Sequence, residues 1–158
     1  MTPTFLDANP FIYLLTKEEG KWQKALEIFT DKKRRLFSNF FVLNEVKFKL
    51  LWIDAEKAYG TNKKFEIIKK IRQDGQLRKR TISGYHTAYV NLKRTVAFLH
   101  TTEEIEQDIS ALIIKEGLLP TDASIIAHMR KNSIKELVTN DDDFDKIEGI
   151  TIVPITSH

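Results

Sequence analysis

The chain has 158 residues, which is the size of one domain, and its 42% hydrophobic and 30% charged residues are typical of a globular protein. The absence of cysteine excludes a disulfide framework, a thiolate zinc site, an iron–sulfur cluster and a cysteine nucleophile. The net charge of +3 does not by itself indicate a polyanionic partner. The uncharged runs 8–16 and 36–44 are too short to span a bilayer and the first residues do not form a secretion signal, so we expect a cytoplasmic protein without a membrane segment.

The charges are distributed unevenly along the chain. Residues 63–102 carry 10 basic and 2 acidic side chains, whereas residues 103–158 carry 5 basic and 12 acidic side chains. A basic segment that also holds aromatic side chains can bind a nucleic-acid backbone, and a solvated helix face is the alternative. The candidate nucleic-acid contacts of this segment are Lys63, Lys64, Lys69, Lys70, Arg72, Arg78, Lys79, Arg80, His86, Lys93 and Arg94.

Strands and helices are predicted to alternate along the sequence. Short apolar runs at 4–6, 35–37, 96–99, 137–139 and 151–153 predict five strands. Helical periodicity predicts helices at 9–15 and 22–29, from a cap at Ser38 or Asn39 to about 58, between Gly60 and Gly75, and at 86–93. Further helices are expected from a capping box of Thr101 and Glu104 to about 117, from 120 to about 131, and as a short turn at 141–145. This alternation predicts one α/β domain with a parallel sheet covered on both faces.

Acidic residues follow the predicted strands at the places where such sheets bind ligands, which is outside the carboxyl ends of the strands. Asp7 comes directly after the first strand, and the acids at 141–143 come directly after the fourth. Asp122 lies in the first turn of a helix, and Glu45 lies on the second turn of the helix that follows the second strand. We therefore expect carboxylates that are distant in sequence to meet at one edge of the sheet.

Most of these acids also have an ordinary structural interpretation when each is considered alone. Asp122 suits a helix N-terminus, the acids at 141–143 could cap a turn, and Glu45 has Lys49 four residues later as an ion-pair partner. Asp7, directly after a buried strand, has no such local explanation. Clustered carboxylates repel one another, and a divalent cation removes this repulsion. Oxygen ligands favour Mg²⁺ or Mn²⁺ over zinc, and such a site supports phosphodiester hydrolysis.

Four short motifs occur in an order that resembles the PIN-domain family, which includes the VapC-type toxins. They are Phe-Leu-Asp-Ala-Asn at residues 5–9, Leu-Asn-Glu-Val at 43–46, Pro-Thr-Asp-Ala-Ser-Ile-Ile-Ala at 120–127 and Val-Thr-Asn-Asp-Asp-Asp-Phe at 138–144. The resemblance implies a Rossmann-like three-layer α/β/α sandwich with a central parallel sheet of about five strands. The 77 residues from Glu45 to Asp122 exceed what a compact VapC-type toxin needs, and the additional length is basic. We predict a single domain over residues 1–158 with an extra basic helical element at about 60–95.

The resemblance also implies an activity, namely an endoribonuclease that hydrolyses RNA by an activated water and holds one or two Mg²⁺ or Mn²⁺ ions. The acids that match the family's catalytic and metal-binding positions are Asp7, Glu45, Asp122 and Asp141. Asp143 matches a further metal-binding position, and Asn9 and Thr139 match supporting polar positions. Asp142 is expected to be a solvated surface acid.

Two other functions and several partners follow from the same residues. A PIN-like domain that processes RNA or only binds RNA or a protein is the main alternative, although a pure binding module gains nothing from clustered acids. A phosphoacceptor receiver domain normally has paired acids after its first strand, which Ala8 and Asn9 do not supply. A toxin is expected to have a small antitoxin and to form a homodimer. The apolar residues Phe11, Ile12 and Leu15 are a candidate dimer surface, with core packing as the alternative.

Overall fold

Five parallel strands form one sheet in the computed structural model, which describes residues 1–155. The strands are β1 (Thr2–Leu6), β2 (Arg34–Asn39), β3 (Val96–Leu99), β4 (Glu136–Val138) and β5 (Thr151–Val153). Their order in the sheet is β3-β2-β1-β4-β5, so β1 lies at the centre, with Phe5 paired to Phe37 of β2 and to Leu137 of β4. The last three residues of the predicted domain, 156–158, lie outside the described residues.

Seven α-helices connect these strands within residues 1–155. They are α1 (Ala8–Thr16), α2 (Trp22–Thr30), α3 (Phe40–Tyr59), α4 (Lys64–Gln73), α5 (Gly75–Leu92), α6 (Glu103–Glu116) and α7 (Pro120–Lys131), and a short 3₁₀ helix (Asp142–Phe144) precedes β5. The predicted α/β architecture with a parallel sheet of five strands is confirmed. Among the described helices, none has the length and apolar content that a membrane span requires.

The main core forms around β1 and α7. Phe5 and Leu6 of β1 are fully buried, as expected for a central parallel strand that is covered on both faces. Helix α7 buries seven consecutive residues, 123–129, because it packs against β2, α3 and α6 rather than presenting one face to solvent. The first turn of α7, which carries Asp122, is therefore held in place by the packing of the rest of this helix.

Helices α4 and α5 contribute to a second, smaller core. Ala55 of α3, Ile67 of α4 and Leu77 of α5 form a separate buried cluster, against which Trp52 packs. Farther along α5, Tyr85 belongs to the main core instead. Helix α5 therefore joins the two clusters, while α4 rests on the small one.

Two helix boundaries differ from the sequence-based prediction. The helix predicted at 86–93 is the end of α5, which begins at Gly75 and continues through Gly84. A glycine inside a helix costs about 1 kcal/mol relative to alanine, and burial of Leu77 and Tyr85 on one face of α5 offsets this cost. Helix α6 is capped by Thr102, whose hydroxyl accepts a hydrogen bond from the Ile105 amide at 3.3 Å, rather than by Thr101.

The apolar stretch on α1 is largely core. Phe11 is fully buried and contacts the ring of Phe29 with the centroids 5.3 Å apart, and Ile12 is also buried. Leu15 is partly buried against the same core. Of the two interpretations, the structure supports core packing for Phe11 and Ile12, because Phe11 packs against Phe29 of α2 and Phe98 of β3.

Candidate active site

The predicted acids come from four different elements that meet at the carboxyl edge of the sheet. Asp7 follows β1 and is the N-cap of α1, and Asp141 follows β4 and caps the 3₁₀ helix. Glu45 lies on the second turn of α3, and Asp122 lies in the first turn of α7. Because β1 and β4 are adjacent parallel strands, their carboxyl ends place Asp7 and Asp141 side by side.

Asp7 is buried and is held by two hydrogen bonds. The Ala8 amide donates to Oδ1 of Asp7 at 2.6 Å, and the Thr139 hydroxyl donates to Oδ2 at 2.7 Å. Burial raises the pKa of the Asp7 carboxyl, the two hydrogen bonds lower it, and the nearby charge of Asp141 raises it further. The side chain is therefore fixed in orientation, and its charge is destabilised by its surroundings.

Thr139 links the two strand-end acids. Its side chain is fully buried, and while its hydroxyl donates to Asp7, its oxygen accepts from the Asp141 amide at 3.0 Å. Asp141 in turn accepts at Oδ1 from the Asp143 amide at 2.9 Å, which shapes the turn that carries the exposed Asp143. One threonine therefore sets the spacing between the ends of β1 and β4.

The charges of the strand-end acids raise the pKa values of the two acids that lie on helices. Burial, together with the charges of Asp7, Asp141, Glu45 and Asp143, raises the pKa of Asp122 to about 7. Burial also raises the pKa of Glu45, with Asp7 and Asp141 acting in the same direction and Lys49 opposing them. Asp122 therefore lies close enough to the other four predicted acids for their charges to raise its pKa.

A small cavity beside Asp122 adds a residue to this acidic edge. The cavity, of about 210 Å³, is lined in part by Asp122, Asp142, Asp143 and Lys146. The expectation that Asp142 is only a solvated surface acid is incomplete, since this exposed side chain also faces the cavity. The sequence gives no sign of this, because the direction of a side chain in a short 3₁₀ turn has no simple period.

The donor set fits a hard divalent cation. The acidic side chains at this edge present oxygen atoms, the type of ligand that Mg²⁺ and Mn²⁺ prefer. Within residues 1–155, no three histidine or acidic side chains are already close enough to hold a metal ion. Burial first, and then the charges of the neighbouring acids, raise the pKa of Asp122. To hold a cation, the acids would therefore have to turn toward it.

The remaining predicted residues occupy the positions that the sequence pattern indicates. Asn9 lies half-buried in the first turn of α1, two residues after Asp7. The eleven candidate nucleic-acid contacts are all exposed on α4, on α5 and at their ends. Among them lies Phe65, whose side chain is 86% exposed. The basic side chains of this segment are therefore solvated.

Sequence reasoning missed a buried polar network between α3 and α7. Asn39, Ser124 and His128 are all fully buried, and the Asn39 amide donates to Oγ of Ser124 at 3.2 Å. The capping role of Asn39 was predictable, and its Oδ1 accepts from the Val42 amide at 3.0 Å. The contact to α7 was not predictable, because it joins residues 85 positions apart without a motif.

Comparison with known proteins places the chain among the PIN domains. VapC20 of Mycobacterium tuberculosis, a sarcin–ricin loop cleaving toxin, superposes with a TM-score of 0.63 at 18% identity over 92% of this chain and 95% of that chain. A toxin–antitoxin complex from Klebsiella pneumoniae gives a TM-score of 0.60 at 18% identity over 98% and 99%. DNA-bound VapBC from Salmonella typhimurium gives a TM-score of 0.58 at 20% identity over 98% and 99%.

These structural matches show a shared fold, and the sequence comparison shows the family. No curated protein matches this chain in sequence. The PIN domain family profile, however, matches residues 4–150, which includes every element from β1 to the turn before β5. The resemblance seen in the four sequence motifs is therefore confirmed. The chain belongs to the PIN domain family.

Proposed function

We propose that this PIN domain is a metal-dependent endoribonuclease with Asp7, Glu45, Asp122 and Asp141 as its catalytic, metal-binding acids. The observation that carries the proposal is the convergence of acids from four elements at the carboxyl edge of the sheet, where burial and four neighbouring carboxylates raise the pKa of Asp122 to about 7. Such a concentration of negative charge destabilises the folded chain, and a cation bound there would offset the repulsion. The family assignment and the fold shared with a sarcin–ricin loop cleaving toxin support RNA as the substrate.

The same acids, together with Asp143, would hold one or two Mg²⁺ or Mn²⁺ ions. A bound ion polarises a phosphoryl oxygen and makes a water molecule acidic enough to act as a nucleophile. The Ala8 amide and the Thr139 hydroxyl hold the Asp7 carboxylate, so this ligand group is already oriented before a cation binds. Asn9, in the first turn of α1, is a supporting residue next to this group.

Asp122 also connects ligand binding to proton release. Because the pKa of this carboxyl lies near 7, its protonated and deprotonated forms are both populated at neutral pH. A cation binds only the deprotonated form, so binding releases protons from this residue at neutral pH. Calorimetry in buffers of different ionisation enthalpy measures that release directly.

The exposed basic side chains on α4 and α5 are proposed to bind the RNA backbone. Contacts of this kind neutralise phosphates and carry no sequence information, so they make the affinity depend on salt. In this proposal the basic side chains hold the substrate and the acids cleave it. We expect the affinity for a short RNA to fall steeply as the salt concentration increases, and fluorescence anisotropy measures this.

We further propose that the chain is the toxin of a toxin–antitoxin pair, acts in the cytoplasm, forms a homodimer and is neutralised by a small antitoxin protein. The fold shared with two toxin–antitoxin assemblies supports the antitoxin. A cationic side chain of such a partner would find complementary charge at the acidic edge. Co-purification with the product of a short neighbouring reading frame, and light scattering of the isolated chain, test these partners.

The test of the proposed activity uses Asp7→Asn and Asp122→Asn with Mn²⁺ and both unpaired and structured RNA. Each substitution keeps the shape of the side chain and removes its charge, and we expect cleavage to fall at least about 100-fold. Asp108→Asn, which removes an exposed carboxylate from α6, is the matched control and keeps full activity.

Two results would contradict the proposal in different ways. Full activity of a folded Asp7→Asn variant would show that the acids are assigned wrongly. A wild-type chain that binds RNA but neither binds Mn²⁺ nor cuts RNA would instead favour the alternative, in which the domain only binds RNA or a protein.

A further inference from the structure

We propose that Asn39, Ser124 and His128 are positioning residues that hold α3 against α7 and so set the distance between Glu45 and Asp122. Two of the four proposed metal-binding acids are borne by these helices and not by strand ends. The strand-end acids Asp7 and Asp141 are spaced by the sheet and by Thr139. The distance between Glu45 and Asp122, which lie on helices, must be set by other contacts. The inference rests on the proposed function for its effect on metal binding, but its structural part can be tested separately.

The network forms an unbroken path from the cap of α3 to the backbone beside Asp122. Oδ1 of Asn39 accepts from the Val42 amide, which fixes the first turn of α3. Nδ2 of Asn39 donates to Oγ of Ser124 at 3.2 Å, and Oγ of Ser124 donates to the carbonyl of Thr121 at 2.6 Å. Thr121 directly precedes Asp122. Asn39 is therefore connected both to the first turn of α3, which precedes Glu45, and to the backbone next to Asp122.

His128 fixes the direction of these hydrogen bonds. Its Nδ1 lies 2.7 Å from the Ser124 carbonyl and 3.2 Å from Nδ2 of Asn39. The shorter contact requires a proton on Nδ1, which then donates to the carbonyl and leaves the Asn39 amide to donate to Oγ of Ser124. With this assignment Nδ1 cannot accept from Asn39, so the 3.2 Å contact between these two donors is not a hydrogen bond, and Ser124 alone joins Asn39 to α7 by a hydrogen bond.

The second nitrogen of the ring shows that this arrangement is costly. Nε2 of His128 is the buried side-chain atom in residues 1–155 that has no hydrogen-bond partner. A buried polar atom without a partner costs more stability than an apolar side chain of the same shape would. A histidine that served only to fill the core would be better replaced by leucine, so its Nδ1 contact needs a reason beyond packing.

Repulsion between the acids supplies that reason. Glu45 on α3 and Asp122 on α7 carry like charges toward the same edge of the sheet, so when both are ionised they repel each other and push α3 and α7 apart. Apolar contacts between helices are non-directional and allow small sliding movements, whereas buried hydrogen bonds fix a register. Fixed spacing matters for a cation because its ligands must lie within a few tenths of an ångström of their preferred distances.

The test compares Ser124→Ala with Thr81→Ala. The first substitution removes the hydroxyl that joins Asn39 to Thr121, and alanine favours the helix. The second removes another buried helical hydroxyl, which donates to Asp54 and belongs to none of the acid-bearing turns. We expect Ser124→Ala to weaken Mn²⁺ binding about 10-fold or more by calorimetry and to lower kcat with KM for RNA unchanged. Thr81→Ala changes neither quantity.

Asn39→Ser provides a second variant in case Ser124→Ala folds poorly. Serine is as good an N-cap as asparagine, but its side chain is too short to donate to Ser124 across the helix interface. Asn39→Ser therefore keeps the cap of α3 and removes the connection to α7. It is expected to lose Mn²⁺ affinity to the same extent as Ser124→Ala, and wild-type affinity in Asn39→Ser overturns the proposal.

A structural readout separates this inference from the proposed nuclease activity. In crystal structures of the metal-free Ser124→Ala chain, α7 is expected to have moved relative to α3, with a larger distance between the Glu45 and Asp122 carboxyl groups than in wild type. Unmoved helices overturn the proposal even if activity falls, and so does wild-type Mn²⁺ affinity in a variant whose helices have moved. A wild-type chain that does not bind Mn²⁺ refutes the proposed function, while the helix displacement still decides whether the network sets the spacing.

Discussion

Replacing Asp122 with asparagine is expected to make the metal-free chain more stable at pH 8 and to leave its stability almost unchanged at pH 3. The pKa of this carboxyl rises from 3.8 to about 7 on folding, because burial and neighbouring carboxylates oppose its charge. Between those two pH values the folded chain holds a proton that the unfolded chain has lost. The free energy of unfolding therefore falls as the pH rises from about 4 to about 7 and stays low above pH 7.

The size of the effect follows from the pKa shift. A change of one pKa unit corresponds to 1.36 kcal/mol, so the rise to about 7 corresponds to about 4 kcal/mol as an upper limit. Asp122 is only partly buried, and solvent screening reduces this to about 2 kcal/mol. For a chain of this length, that stabilisation raises Tm by roughly 4–8 °C. Asparagine carries no charge at either pH, so it removes the repulsion that wild type experiences only at pH 8.

The assay is thermal unfolding of wild type, Asp122→Asn and the control Asp108→Asn at pH 3 and pH 8, with EDTA present. We expect the variant and wild type to differ at pH 8 and to coincide at pH 3, which lies below the unfolded-state pKa of the carboxyl, while the control follows wild type at both. An Asp122→Asn chain that is less stable than wild type at pH 8 would refute the reasoning, because it would mean that the carboxylate stabilises the folded chain.

Three further predictions follow from the same structure. Thr139→Val removes the hydroxyl between Asp7 and the Asp141 amide and is expected to cost about 1–3 kcal/mol in urea unfolding, so an unchanged midpoint would contradict the role of that hydroxyl. Ile67→Ala is expected to cost about 2–5 kcal/mol and to speed hydrogen exchange in α4, whereas Ile114→Ala, at an 82% exposed position, changes stability by less than about 0.5 kcal/mol. Mn²⁺ at about 100 times its Kd is expected to add about 2.7 kcal/mol of stability. Asp7→Asn abolishes this gain, and an equal gain in that variant would place the ion elsewhere.

The sequence predicts the acids that follow strands more fully than those borne by helices. Asp7 and Asp141 are assigned directly, because strand ends are visible as apolar runs and parallel strands end at the same edge. Glu45 and Asp122 are placed at this edge only by assuming how α3 and α7 pack, and the motifs resembling the PIN family supply that assumption. The pKa of Asp122 depends on distances that no periodicity encodes.

The elements that sequence reasoning misplaced are those in which tertiary contacts override local preference. Gly84 predicts a break in the helix, yet α5 continues through it because Leu77, which precedes it in sequence, and Tyr85, which follows it, are both buried. Thr101 and Thr102 are both competent caps, and the choice between them depends on how α6 docks. The contact from Asn39 to Ser124 is likewise a property of packing, since nothing local to either residue requires it.

The division of α5 between two hydrophobic clusters has a consequence for how this protein can diverge. Ile67 and Leu77 pack in a cluster that shares no residue with the main core, while Tyr85 anchors the far end of α5 in that main core. Substitutions on α4 are therefore absorbed locally and leave the carboxyl edge of the sheet undisturbed. Natural variation or directed evolution can therefore change the basic side chains of α4 without compensating changes at the acids. We expect α4 to be the helix that can be exchanged between relatives with the least effect on the rest of the fold.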